Sequence, residues 1–251
     1  MKPYGSPGRT AEPGPPAERT SRFLEALPRA DAERLLRDAV HTELPLNTPL
    51  FARGEMPRYF YLLTSGMASV VYTSQQGNSI ELSMIGDEGP VGWLFLLGPM
   101  AAMADCSIQV PGAGYRIPAE LFQREFDTSH AVRARILEMA QQKALSAYQI
   151  AACNRLHKAG PRFARWLLTA CDRAKTSNLP ITQEFMGHML GTRRTTVAEE
   201  AGALQRSGII EYSRGHVRIL DSAQLEKHAC ECYRIIKSQY ETLYSHPCPQ
   251  D

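Results

Sequence analysis

The 251-residue sequence contains no uninterrupted apolar run of the roughly 20 residues a membrane helix requires. Its opening stretch, Met1 to Glu18, is rich in proline and glycine and lacks the apolar core of a secretory leader. A membrane partner is therefore not expected, and a cytoplasmic location is. No histidine occurs between Thr42 and Ser129, so that region cannot supply the imidazoles with which a small barrel enzyme holds a catalytic metal. The remaining histidines and cysteines show no spacing that suggests an activated nucleophile. His188 falls in a helical segment where a surface or phosphate-facing imidazole suffices.

Cysteine is also sparse. Cys106, Cys153, Cys171, Cys230, Cys232 and Cys248 are scattered through a chain too long to need stapling, so reduced thiols are expected. Only Cys230-Glu231-Cys232 looks like a pair, and a single pair supplies too few ligands for a structural zinc site. His228 stands near enough to join it, but a plain exposed helix end is the simpler reading. The sequence thus calls for no metal, no other cofactor and no catalytic residue.

What is present is enough apolar sequence, 43% of residues, for a sizeable core. The formal net charge of +2 hides an uneven distribution: residues 154–220 carry 11 basic against 5 acidic side chains, whereas 1–153 carry 14 against 16 and 221–251 carry 3 against 5. A basic segment inside a near-neutral chain points to a polyanionic partner.

The chain divides by pattern. Residues 1–20 hold five prolines and almost no bulky apolar residues, too little to offset the entropy of ordering, and are expected to be a disordered arm. Phe23 to Val40 suggests short helices interrupted by Pro28. Between Leu44 and Ile117 the pattern becomes short alternating or apolar runs at Tyr59–Thr64, Met67–Thr73, Ser79–Ile85, Asp105–Val110 and Gly114–Ile117, separated by glycine-containing turns. Strands at that spacing predict an antiparallel barrel or sandwich over 21–128.

From His130 to Leu156 there is no glycine or proline, and Val132, Ile136, Met139, Lys143, Ser146, Ile150 and Cys153 recur at spacings of three and four. One long helix, 129–157, is predicted, with a lengthwise seam and a parallel stripe of Leu137, Ala140, Ala144, Ala147 and Ala151. The helix either packs on its own barrel alone or pairs two subunits. Pairing is favoured because the segment that follows reads as a DNA reader, and such readers usually work in pairs.

Residues 158–222 carry that pattern. Thr182 is placed to cap a helix whose apolar face is Phe185, Met186, Met189 and Leu190, and Gly191 suits the left-handed residue that ends it. A second helix begins at Thr192-Arg193-Arg194-Thr195-Thr196-Val197, burying Val197, Ala201 and Leu204 and projecting Arg193, Arg194 and Thr195 from its first turn, where a recognition helix meets base edges. Gly187 lets the two helices cross closely. Ile209–Tyr212 and His216–Leu220 then form a hairpin wing with Arg214 at its tip, suited to a phosphate contact. The candidate contacts to double-stranded DNA are Thr182, Thr192, Arg193, Arg194, Thr195, Thr196, Glu199, Arg214 and His216. A helical bundle with a solvated basic face does not account for a turn glycine, a basic first turn and a wing in that order. Residues 223–251 read as a C-terminal helix and tail.

In this order, and with Gly54-Glu55, Tyr61-Leu62-Leu63-Thr64-Ser65-Gly66, Ile181-Thr182-Gln183-Glu184, Gly191 and Arg194-Thr195-Thr196-Val197, the chain resembles the Crp/Fnr family of bacterial transcription regulators over about residues 23–220. The resemblance implies an α+β architecture: an N-terminal antiparallel jelly-roll barrel like a cyclic-nucleotide-binding domain, a long dimerisation helix and a C-terminal winged helix-turn-helix. It also implies a homodimer on a two-fold operator and a contact with RNA polymerase. In the best-known members an Arg-Glu pair opens the recognition helix and a second Arg follows one turn later. Arg194 matches the first, but Thr195 replaces the Glu and Glu199 stands where the second Arg would be, so the target sequence should differ.

The family's cyclic-nucleotide cassette pairs Gly-Glu with a downstream Arg. Here Trp93 follows Gly92 and Met100-Ala101-Ala102-Met103-Ala104 contains no Arg, so a cyclic phosphate would lack its cation. Trp93, Leu94 and Phe95 are candidate lining residues for an unidentified small-molecule effector, with ordinary core packing as the alternative. Members that hold an iron–sulfur cluster do so with several N-terminal cysteines, whereas the first cysteine here is Cys106. Should no effector exist, the barrel would be a structural or polymerase-contact module.

Overall fold

In the computed structural model, residues 20–213 and 215–248 are described. The expected arm lies almost wholly outside them, and Arg214 lies outside them too. Two short helices, α1 (Arg22–Glu25) and α2 (Arg29–Leu36), precede seven strands: β1 (Val40–Leu44), β2 (Pro49–Phe51), β3 (Tyr59–Leu63), β4 (Met67–Thr73), β5 (Ser79–Ile85), β6 (Asp105–Val110) and β7 (Gly112–Pro118). They form two antiparallel sheets, ordered β1-β7-β3 and β2-β6-β4-β5, a jelly roll whose sheets face each other without closing.

The alternation along β3 shows why the layers stack. Tyr61 and Leu63 point between the sheets, where Leu44, Leu50, Ile85 and Ile108 meet them, while Phe60 and Leu62 point outward under Phe23, Phe122 and Val132 of the helices. Val40, read from sequence as the end of a helical stretch, instead opens β1 and pairs with Arg116 of β7. β1 is an edge strand with an exposed Val40, so it lacks the alternation that would have marked it.

Helix α3 (Ala119–Thr128) leads into α4 (His130–Leu156). The Ser129 hydroxyl caps α4 by accepting from the Val132 N–H at 3.1 Å and donates to Asp31 at 2.5 Å. The expected seam exists, but it faces this chain. Val132, Ile136 and Met139 are buried under the jelly roll, and Lys143, Ser146 and Cys153 are buried by groups from elsewhere in the same subunit. The opposite face is exposed: Leu137 at 50%, Leu145 at 46% and Tyr148 at 72%, beside exposed Ala144, Ala147 and Ala151.

Helix α5 (Ala159–Ala174), β8 (Asn178–Leu179), α6 (Gln183–Leu190), α7 (Arg194–Arg206), β9 (Ile210–Ser213) and β10 (His216–Ile219) form the next module. Its core gathers Trp166, Met186, Leu190, Val197, Leu204, Ile210 and Val217. The module docks on the jelly roll through Trp166, whose indole donates to Glu81 of β5 at 2.7 Å, while Ser69 of β4 donates to the same carboxylate at 2.6 Å.

The end of the chain departs most from expectation. Instead of an exposed helix and tail there are two helices, α8 (Ser222–His228) and α9 (Cys232–Glu241). α9 buries Cys232, Tyr233, Ile236 and Tyr240 against α4 and α5. Beyond it Arg22 of α1 donates to the carbonyls of Tyr240 and Leu243 at 2.7 and 2.6 Å, Arg135 donates to the His246 carbonyl at 2.8 Å, and the Tyr244 hydroxyl donates to the Glu88 carbonyl at 2.7 Å.

At this joint Glu88, fully buried, accepts from Lys143 at 2.5 Å and lies 3.5 Å from Arg173 of α5, while the Gly86 N–H donates to its second oxygen at 2.8 Å. Burial alone would raise the Glu88 carboxyl, but the two cations outweigh it and hold it down at about 2. Lys143 is lowered by its own burial, and Arg173 adds to that, against the opposing pull of Glu88.

Candidate nucleic-acid interface

Two helices and a hairpin build the interface. The Thr182 side chain accepts from the Phe185 N–H at 3.1 Å and so starts α6. Gly191 ends it at φ 58°, a left-handed conformation that costs glycine nothing. The chain then turns so tightly that the Thr192 N–H donates to the Gly187 carbonyl at 2.9 Å. A Cβ on Gly187 would stand 3.2 Å from the Thr192 carbonyl oxygen, which is why a glycine suits the crossing.

Helix α7 begins at Arg194 with Arg193 as its N-cap, whose side chain makes no capping hydrogen bond. The helix start thus carries two arginines beside first-turn N–H groups that its N-cap side chain leaves free. Val197, Ala201 and Leu204 fix the helix by one face, leaving Arg193, Arg194, Thr195 and Glu199 exposed and Thr192 and Thr196 half-buried. Among the described residues neither Arg193 nor Arg194 enters an ion pair, whereas Arg218 on the wing is bound to Glu211.

The wing pairs His216 with Ser213 and Val217 with Tyr212. β9 is shifted one residue along from the expected Ile209–Tyr212, β10 starts at the expected His216 but ends one residue before Leu220, and β8 adds a third strand beside β10. Thr182 and His216 are exposed. A Cβ on Gly215 would lie 3.4 Å from the Thr182 methyl, so the wing turn sits against the start of α6. Sequence reasoning missed Tyr212, whose hydroxyl accepts from the Gln183 N–H at 3.2 Å and ties the wing to α6.

Trp93, Leu94 and Phe95 lie on one turn of 3-10 helix after Gly92, and all three line a pocket of about 420 Å³. Phe51, Leu82, Met100 and Met103 help complete it, and among the described residues no charged side chain lines it. Phe95 is buried edge-on against Phe51, with ring centroids 5.3 Å apart. The apolar run Met100–Ala104, noted above only for its lack of arginine, was the signal for the other wall.

A jelly roll joined by a long helix to a winged helix-turn-helix with a free, arginine-bearing recognition helix defines a DNA-binding transcription regulator. Residues 41–129 match the cyclic nucleotide-binding domain model and residues 161–228 the Crp-like helix-turn-helix domain model. The chain belongs to the Crp/Fnr family. Its fold is similar to that of a putative Crp/Fnr-family transcriptional regulator from Eubacterium rectale (20% identity, 85% of this chain and 98% of that one covered, TM-score 0.64). It is also similar to the c-di-GMP responsive global regulator CLP of Xanthomonas campestris (19%, 76% and 99%, 0.61) and to FixK2 of Bradyrhizobium japonicum (14%, 76% and 98%, 0.64). None of the curated proteins matches the sequence.

Proposed function

We propose that the protein acts in the cytoplasm as a homodimer on a two-fold DNA operator, with Arg194 reading guanine and its effector, where it has one, not a cyclic nucleotide. The observation that carries this reading is the pair of exposed arginines, without ionic partners among the described residues, at the uncapped start of α7. A guanidinium can bond both major-groove acceptors of one guanine. Selection of genomic fragments by the purified protein tests it, with a two-fold consensus containing guanine expected; enrichment without a consensus would reject operator recognition.

Dimerisation is assigned to the exposed face of α4, since the buried seam is already occupied. Leu145→Glu should give monomers in sedimentation velocity and weaken operator binding, while a persistent dimer would move the interface elsewhere. An uncharged, apolar effector suits the pocket around Trp93, Leu94 and Phe95. Calorimetric titration with cyclic AMP or cyclic GMP should show no binding, and tight stoichiometric binding would overturn that assignment. RNA polymerase is the partner expected of a regulator bound at a promoter. The direct docking of Trp166 on Glu81 favours a second reading, in which the DNA module is held in its binding geometry without an effector; operator affinity of ligand-stripped protein separates the two.

A further inference from the structure

Away from the DNA face and the pocket, four side chains converge where α4 meets the C-terminal extension. Cys153 lies in the last turn of α4 and His157 one turn on, its N–H donating to the Cys153 carbonyl at 3.1 Å. Cys230 comes from the link between α8 and α9, and Cys232 opens α9. One ligand atom from each of the four lies within 4.8 Å of the others. Cys153 Sγ is 3.5 Å from Cys230 Sγ, and Cys232 Sγ is 3.6 Å from His157 Nδ1.

A tetrahedral zinc ion with ordinary bond lengths sets its ligands about 3.8 Å apart between sulfurs and about 3.5 Å between sulfur and nitrogen. The observed separations suit one ion at the centre. An iron–sulfur cluster, whose ligands spread around several metal atoms, needs them farther apart.

The surroundings fit as well. His157 Nε2 is 3.1 Å from a Glu231 carboxylate oxygen, which fixes the proton on Nε2 and directs the Nδ1 lone pair at the sulfurs, as a carboxylate does behind a zinc-bound histidine. Gln149 Nε2 donates to Cys232 Sγ at 3.1 Å. Three thiolates and a neutral imidazole around a divalent ion leave one negative charge on the site.

We propose that Cys153, His157, Cys230 and Cys232 form a closed Cys3His site for one zinc ion that pins the C-terminal extension to the end of the long helix. On binding, the three thiols release their protons to solvent and the neutral imidazole contributes its lone pair; no electron changes hands. With four protein ligands there is no open position for water, so the ion is structural. The site spans His157-Lys158, the link from α4 to α5, and therefore fixes how the winged helix hangs from the long helix.

Full-length protein purified under reducing conditions without chelator should contain about one zinc per chain by plasma mass spectrometry. Metal-free, reduced protein titrated with Co2+ should develop thiolate charge-transfer and tetrahedral d–d bands that saturate at one equivalent. Cys230→Ser and His157→Gln should abolish those bands, whereas Cys171→Ser and Cys248→Ser should leave them unchanged. In case the ligand variants misfold, the exposed Glu231→Gln keeps the question open to measurement, with affinity expected to fall roughly 10- to 100-fold. Wild-type protein that binds neither Zn2+ nor Co2+, bands that survive Cys230→Ser, or a Cys153–Cys230 disulfide in natively purified protein would each overturn the site.

Discussion

Arginines at the two ends of the DNA-binding module have opposite surroundings. Arg193 and Arg194 stand in solvent at the start of α7 without an ionic partner among the described residues, while Arg173 near the end of α5 is buried beside Glu88, with Lys143 on the same carboxylate and Tyr240 stacked 3.6 Å from the guanidinium. A cation buried and neutralised within the chain holds the architecture; one left exposed is available to an external anion. The contrast separates residues whose loss should unfold the protein from residues whose loss should only blind it.

The comparison breaks most visibly at Glu88. Glu88→Gln leaves two buried cations uncompensated and should destabilise the chain by about 3–5 kcal/mol in urea unfolding. The depressed carboxyl contributes stability above the ordinary value of 4.5, and that contribution is lost as pH falls toward about 2. The gap between wild type and variant should therefore be full at neutral pH and close across that acidic window; a gap independent of pH would remove the ionised carboxylate from the account.

Arg194→Ala should do the reverse. Specific operator affinity should fall by an amount worth about 1–3 kcal/mol with the melting temperature unchanged, and a lowered melting temperature would place Arg194 among the architectural residues. Between these cases lies Gly191, whose left-handed φ of 58° should make Gly191→Ala about 1–2 kcal/mol less stable by thermal unfolding. The smallest effect belongs to Thr182→Ala, about 1 kcal/mol from the lost α6 cap, again by urea unfolding.

Much of this was legible in the chain. β4, β5 and β6 appear where alternation placed them, and α4 begins and ends within one residue of the predicted 129–157, because local periodicity largely determines such elements. β1 and the proline-bearing, three-residue β2 carry too little pattern. The seam on α4 shows the limit of periodicity, which reveals that a face is buried but not what buries it. That cover proved to be Glu88, Gln239 and Cys230 of the same subunit. The Cys230–Cys232 pair looked short of ligands for a related reason. Cys153 lies 77 residues before Cys230, and nothing local announces that α9 folds back along α4. His228, the nearby candidate, instead contacts the Gln224 carbonyl of its own helix.

The strap that carries Tyr240 and Tyr244 back to Arg22 and Glu88 also imposes an order of assembly on a chain made from its N-terminus. The strands and helices of the winged helix-turn-helix are all made once Leu220 has left the ribosome, but Leu225 and Tyr233 of its core and the wall over Glu88 are supplied by residues synthesised after it. A nascent chain arrested near Asp221 should therefore present an open, digestible joint, and extension through Tyr244 should close it.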